Sequence, residues 1–329
     1  MKATAAWERF WFAPQATSTL ALVRIATGLV CLGWALSLMP DLFAFFSEEG
    51  VVPKPPEGQG PGVWGLLNLF PSDAALVAVY VTLIVGSVAL TLGLFSRLAA
   101  LVVFICLLAF ARRNIWVLNS GDGLVRLLPL FLVFAPSGAA LSLDRLRRAK
   151  DAFWEFPARA PWALRLIQIQ LSVLYVSTVW QKVRGVSWND GTAVSYANRL
   201  EDLERFPMPA LFTDNVTAAG LLTFGTLAVE LSLGILIWNR ALRPYVIGVG
   251  VALHLGIEYS IRVGFFSAAI FACYLAFIPP ETASKAILAV RDRLRSSPLS
   301  RARKGRDPVA EPVAMEGPGP AAARRERPV

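Results

Sequence analysis

The stretch WQKVRGVSWNDG, residues 180–191, sets a lysine, an arginine, a tryptophan and an aspartate directly behind a hydrophobic run. Lys182 closes the segment LRLIQIQLSVLYVSTVWQK, which also carries Gln168, Gln170, Tyr175, Ser177, Thr178 and Gln181. Two roles suit a lysine there. It anchors a helix end among lipid headgroups or, kept from water, gives up its proton more readily and serves as a base. The RGVSWNDG that follows can fold back, with Trp188 at the interface and a turn at Asn189-Asp190-Gly191, and so screen the amine from solvent.

Other ionisable residues stand where lipid rejects them, at roughly 2.5–3.5 kcal/mol for a charge at the centre of a span. Glu230 lies deep in AAGLLTFGTLAVELSLGILIW, as a protonated or hydrogen-bonded structural group or as a site carboxylate; in either role it faces protein. His254, the single histidine, precedes Glu258 and Arg262 at helical spacing, so the three form one polar stripe if the helix continues that far. The histidine is a hydrogen-bonding core residue or part of a site. Arg24 either snorkels to the interface or pairs inside the bundle. In RRNIWVLNSGDGLVRLL, Asp122 caps a helix or, with Arg126 one turn on, shapes a pocket for an anionic ligand.

Of the 329 residues, 55% are hydrophobic and 17% charged, against about 25% charged in soluble domains. This composition calls for repeated membrane spans. Apolar segments fall near 19–39, 74–95, 98–118, 124–143, 164–181, 218–238, 243–258 and 263–279. The expected fold is an all-α polytopic bundle of about eight transmembrane helices, since backbone groups in lipid must pair within the segment. From Glu281 onward there are eleven Lys/Arg against six Asp/Glu, and 144–165 holds six against three, whereas 40–73 holds one against five. With basic loops kept inside, both termini are cytoplasmic.

The first apolar run reads as a retained helix, and residues 1–295 as one membrane domain. Residues 296–329 read as a disordered basic cytoplasmic tail. VVPKPPEGQGPG is too rich in Pro and Gly for a regular element, and the WGLLNLF just after it reads as a short interfacial helix. Cys31, Cys106 and Cys273 lack metal or dithiol spacing and read as packing residues. The net charge of +9 belongs to topology rather than to nucleic-acid binding.

Lys182, Trp188 and Gly191, with LALVRIATG around Arg24, NSGDGLVRLL around Asp122, SLD at 142–144, Glu230 and His254, resemble the HTTM family. This is the horizontally transferred transmembrane domain, related to vitamin K-dependent gamma-glutamyl carboxylases. The resemblance covers about residues 15–280. It implies extracytoplasmic chemistry with a quinol (vitamin K-like) cofactor, Lys182 as base and His254 as its hydrogen-bonding or proton-transfer partner. Trp188, Asp122, Arg126 and Glu230 are then cofactor-binding or supporting groups. Departures are Gln181 in place of a second lysine, one more residue before the tryptophan, and Gly121-Asp122 near a histidine of the animal enzymes. A large lumenal propeptide-binding domain is not expected here, so substrate recognition should differ.

Two functions follow. One is a carboxylase-like lyase in a bacterial inner membrane, acting on a secreted or periplasmic peptide. The other is a non-enzymatic membrane factor that escorts such a peptide through the outer loops 40–73 and 182–217. Transport ranks behind both: Pro129 and Pro136 suit a broken helix, but no repeat or central chain of ionisable residues supports a pathway.

Overall fold

The structure, a computed structural model, describes residues 2–51 and 64–296. Most of VVPKPPEGQGPG and all of the tail beyond Ser296 lie outside the described residues. The chain divides into two units, Met1–Ala286 and Ile287–Val329.

All eight apolar segments form helix, but not eight crossings. An aromatic lead-in helix, α1 (Lys2–Phe12), is followed by strand β1 (Gln15–Ala16) and by α2 (Ser18–Ser37). Short helices α3 (Leu42–Phe46) and α4 (Leu66–Leu69) precede α5 (Asp73–Leu92) and α6 (Ser96–Arg113). Then come α7 (Ser120–Phe134), α8 (Leu143–Arg148) and β2 (Ala158–Arg159), which pairs antiparallel with β1. Helix α9 (Trp162–Lys182) leads through α10 (Val186–Asn189), α11 (Ala193–Ala197) and α12 (Ala210–Thr213) to α13 (Val216–Ile235). The helical series closes with α14 (Arg243–Ser260), α15 (Phe266–Leu275) and α16 (Pro280–Ser296).

Among the described residues, four helical stretches are long and apolar enough to cross a membrane: Ser18–Phe46, Asp73–Leu92, Trp162–Lys182 and Val216–Trp238. A fifth arises only if α15 and the sharply bent helix after it count as one broken span. The expectation of about eight crossings is therefore corrected to four, or at most five. A span needs about 20 residues, and α7 has 15 and α15 has 10. Helix α6 carries Arg97, Arg112 and Arg113 within its 18 residues, and α14 is diluted by Arg243, His254 and Glu258. The loop sorting that placed both termini in the cytoplasm counted eight crossings, and four or five crossings redistribute those loops.

Local chemistry sets the helix ends. Ser72 accepts from the Ala75 amide at the start of α5, and Gly93 ends it in the left-handed region at φ 71°, returning its amide to the last turn. Pro129 sits inside α7 without ending it; the helix stops at Phe134, before Pro136. Close approach of α2 to α5 requires Gly28, where a Cβ would stand 2.3 Å from Thr91 Oγ1. All three cysteines are free and buried.

Arg24 does not snorkel, and it forms no ion pair among the described residues. It is fully buried, and its terminal nitrogens donate to the carbonyls of Ser137 (2.8 Å), Ala140 (3.0 Å) and Leu141 (2.6 Å). The irregular segment after α7 leaves those carbonyls without helical partners, and buried irregular backbone persists only when something satisfies it. Leu141, at φ 46°, adopts the left-handed backbone within this cage. Nearby, Asp144 accepts from the amides of Phe95 (2.8 Å) and Ser96 (2.9 Å) and from the Ser96 hydroxyl (2.9 Å), capping α6 from another helix. Burial pushes its carboxyl up, but the Ser96 and Phe95 hydrogen bonds and the Arg148 charge together hold it below the usual aspartate range.

Candidate functional site

Lys182 ends α9 and Glu230 lies within α13, and the packing of these two helices brings Nζ to 2.6 Å from Glu230 Oε1. The chain leaving Lys182 turns back through α10, placing the Trp188 ring 4.4 Å from Nζ. That return depends on Gly191, at φ 72°, where a Cβ would meet the Phe224 ring at 3.1 Å and the Gly220 backbone at 3.3 Å. The fold-back expected from RGVSWNDG is present. It leaves the lysine side chain 21% exposed and the glutamate 7% exposed.

Lys182 is one half of an ion pair with Glu230. The second oxygen, Glu230 Oε2, is buried and accepts no hydrogen bond among the described residues, so the pair retains an acceptor atom.

Two turns back along α9, Tyr175 is 1% exposed. Its hydroxyl lies 2.7 Å from His254 Nε2 and 2.6 Å from the Tyr274 hydroxyl, tying α9 to α14 and α15. Gly250 makes room for this, since a Cβ there would lie 2.6 Å from the Tyr274 oxygen. His254 is also 1% exposed, with Phe266 and Phe271 packed edge-on and Nδ1 unpartnered among the described residues. Tyr175, His254 and Tyr274 thus form one hydrogen-bonded cluster, two turns along α9 from the Lys182–Glu230 pair. Tyr175 was read from sequence only as a polar residue of its helix, and Tyr274 was missed.

Asp122 and Arg126 are not part of it. Asp122 Oδ1 accepts from Trp34 Nε1 (2.6 Å) and Oδ2 from the Asn119 amide (2.7 Å), completing the capping box of α7. Arg126 makes no ion pair with it or with any other described residue. Gly121 abuts Phe266, whose ring stands against His254, so an aromatic side chain separates this helix start from the cluster. The neighbouring arginines brace the segment before α5: Arg112 stacks on Trp64 at 4.8 Å, and Arg113 donates to the Ser47 carbonyl.

The polar stripe of α14 ends early. The helix stops at Ser260 and Ile261 bridges to Glu204, which takes Arg262 out of the helix. Glu258 instead pairs with Arg205 at 2.7 Å.

A buried ammonium–carboxylate pair under an indole can donate and accept protons next to an apolar surface, and it can hold a hydroxylated ring by hydrogen bond and stacking. Among the described residues no cluster of three or more His, Cys, Asp or Glu is placed to hold a metal ion. No curated protein and no solved structure matches this chain. Residues 12–281 match the family model of the HTTM domain, and the membrane protein that carries this cluster belongs to the HTTM domain family.

Proposed function

We propose that this multi-pass membrane protein is a carboxylase-like enzyme in which the Lys182–Glu230 pair exchanges a proton with a quinol reached from the lipid. The carrying observation is the 2.6 Å pair under Trp188, with Glu230 Oε2 left as a buried acceptor. The donor set would suit a quinol: Glu230 would accept from a ring hydroxyl, Lys182 would donate to its oxygen, and Trp188 would add aromatic surface beside the ring. When bound, the quinol supplies the electrons for oxygen reduction in the carboxylase-type reaction that the sequence resemblance implies.

The chain's own residues then have distinct tasks. Glu230 would accept a hydroxyl proton at Oε2, and Lys182 would donate a hydrogen bond to the oxygen that gave it up. Trp188 and the α10 turn limit water at the pair. Tyr175 orients His254 through Nε2, leaving Nδ1 to pass or hold a proton. The acceptor in this reading is a secreted or periplasmic peptide, and the resemblance, not the geometry, is what recommends it.

The test is quinol-dependent oxygen uptake by purified protein in lipid nanodiscs. Wild type should turn over, and Glu230→Gln should lose about 100-fold or more per mole of folded protein. Folded wild-type protein inert with reduced menaquinone, ubiquinone and vitamin K alike contradicts the proposal.

A further inference from the structure

At the other end of α9 from Lys182, about 26 Å away at helical rise, Arg165, Arg240 and Arg243 line a cavity of about 710 Å³. The first two turns of the Trp162–Lys182 span form one side, and the chain just beyond the Val216–Trp238 span forms another, so the cavity sits where two spans end. Glu281 is the acid among the lining residues, one negative charge against three positive. None of the three arginines forms an ion pair among the described residues.

Their hydrogen bonds fix them without neutralising them. Arg243 donates to the carbonyls of Ile237 (2.9 Å) and Phe277 (3.1 Å), and Arg165 to the Gln168 amide oxygen (2.8 Å). Arg240 is exposed and makes no hydrogen bond among the described residues. All three side chains line the same cavity. Three like charges held this close repel, and an anion between them relieves the repulsion. Helix α14 starts here and adds the positive end of its dipole. Leu164, Ile247 and Phe277 add apolar surface to the lining, with the Phe277 ring centre 5.8 Å from the Arg243 guanidinium carbon.

We propose that this cavity binds the phosphate of an amphiphile, an anionic phospholipid headgroup, with Arg240 as the free ligand arm and the glycerol and acyl portion against the apolar surface of Ile247 and Phe277. Basic pockets between membrane helices take headgroups by this chemistry. Inorganic phosphate shares the charge but has no use for the apolar surface.

The experiment titrates delipidated protein in neutral detergent with phosphatidylglycerol, phosphatidylcholine or inorganic phosphate, reading bound ligand by native mass spectrometry and melting temperature. Phosphatidylglycerol should bind and stabilise more than phosphatidylcholine, and Arg240→Gln should weaken it about fivefold. Stabilisation of wild type by millimolar phosphate, lost in Arg240→Gln, would keep the phosphate site and assign it to a soluble ligand. Equal binding of the two lipids with no phosphate effect overturns the proposal, as does wild-type affinity in both Arg240→Gln and Arg165→Gln. The lipid comparison on wild type alone decides the matter should a variant fail to fold.

Discussion

Two cations on the apolar helices do different work in this protein. Arg24 is wholly enclosed and spends its terminal nitrogens on three backbone carbonyls. Lys182 is partly exposed, pairs with a side chain, and its partner keeps an oxygen with no hydrogen bond among the described residues. A charge saturated by main chain can only hold the fold. A charge whose counter-ion has an atom to spare can also act on something else.

The largest effect that would break this contrast is at Arg24. Arg24→Met leaves the carbonyls of Ser137, Ala140 and Leu141 unsatisfied and should lower stability by about 3–5 kcal/mol, read as lost yield and melting temperature in detergent; near-wild-type stability contradicts the clamp. Lys182→Ala comes next, because Glu230 is left charged and buried: a loss of about 3 kcal/mol is expected. Lys182→Met combined with Glu230→Gln should recover most of it, and a double variant no more stable than the single would deny the pairing.

Tyr175→Phe sharpens the comparison from inside the cluster. It removes the hydroxyl from both His254 Nε2 and Tyr274, with an expected loss of about 1–3 kcal/mol. The smallest effect is at Asp144. Its folded carboxyl titrates below the unfolded value, so its contribution is full above the usual aspartate range and disappears as pH falls through the depressed folded value. Asp144→Asn should cost about 1–2 kcal/mol at neutral pH and flatten that acid limb in a pH series of melting temperatures; an unchanged limb contradicts the assignment.

Helix positions were legible in the sequence because apolar runs and caps are local. Asn119 and Asp122 announce the start of α7, and Gly191 its turn, from residue type alone. The crossing count was not legible, since apolarity does not reveal that α7 stops at Phe134 and leaves an irregular segment. Nor was the fate of Arg24, because its partners are carbonyls, which every residue carries. Lys182 and Glu230 were both singled out, but 48 positions separate them, and only helix packing makes them one pair. Tyr274 gave no signal, because its partners come from two other helices.

The central claim is that the Lys182–Glu230 pair meets a hydroxylated ring. Infrared difference spectroscopy on adding a reduced quinone to the protein in nanodiscs tests it most directly. A carboxylate band should change on binding in wild type and be missing in Glu230→Gln; a binding spectrum identical in the two proteins would contradict the account.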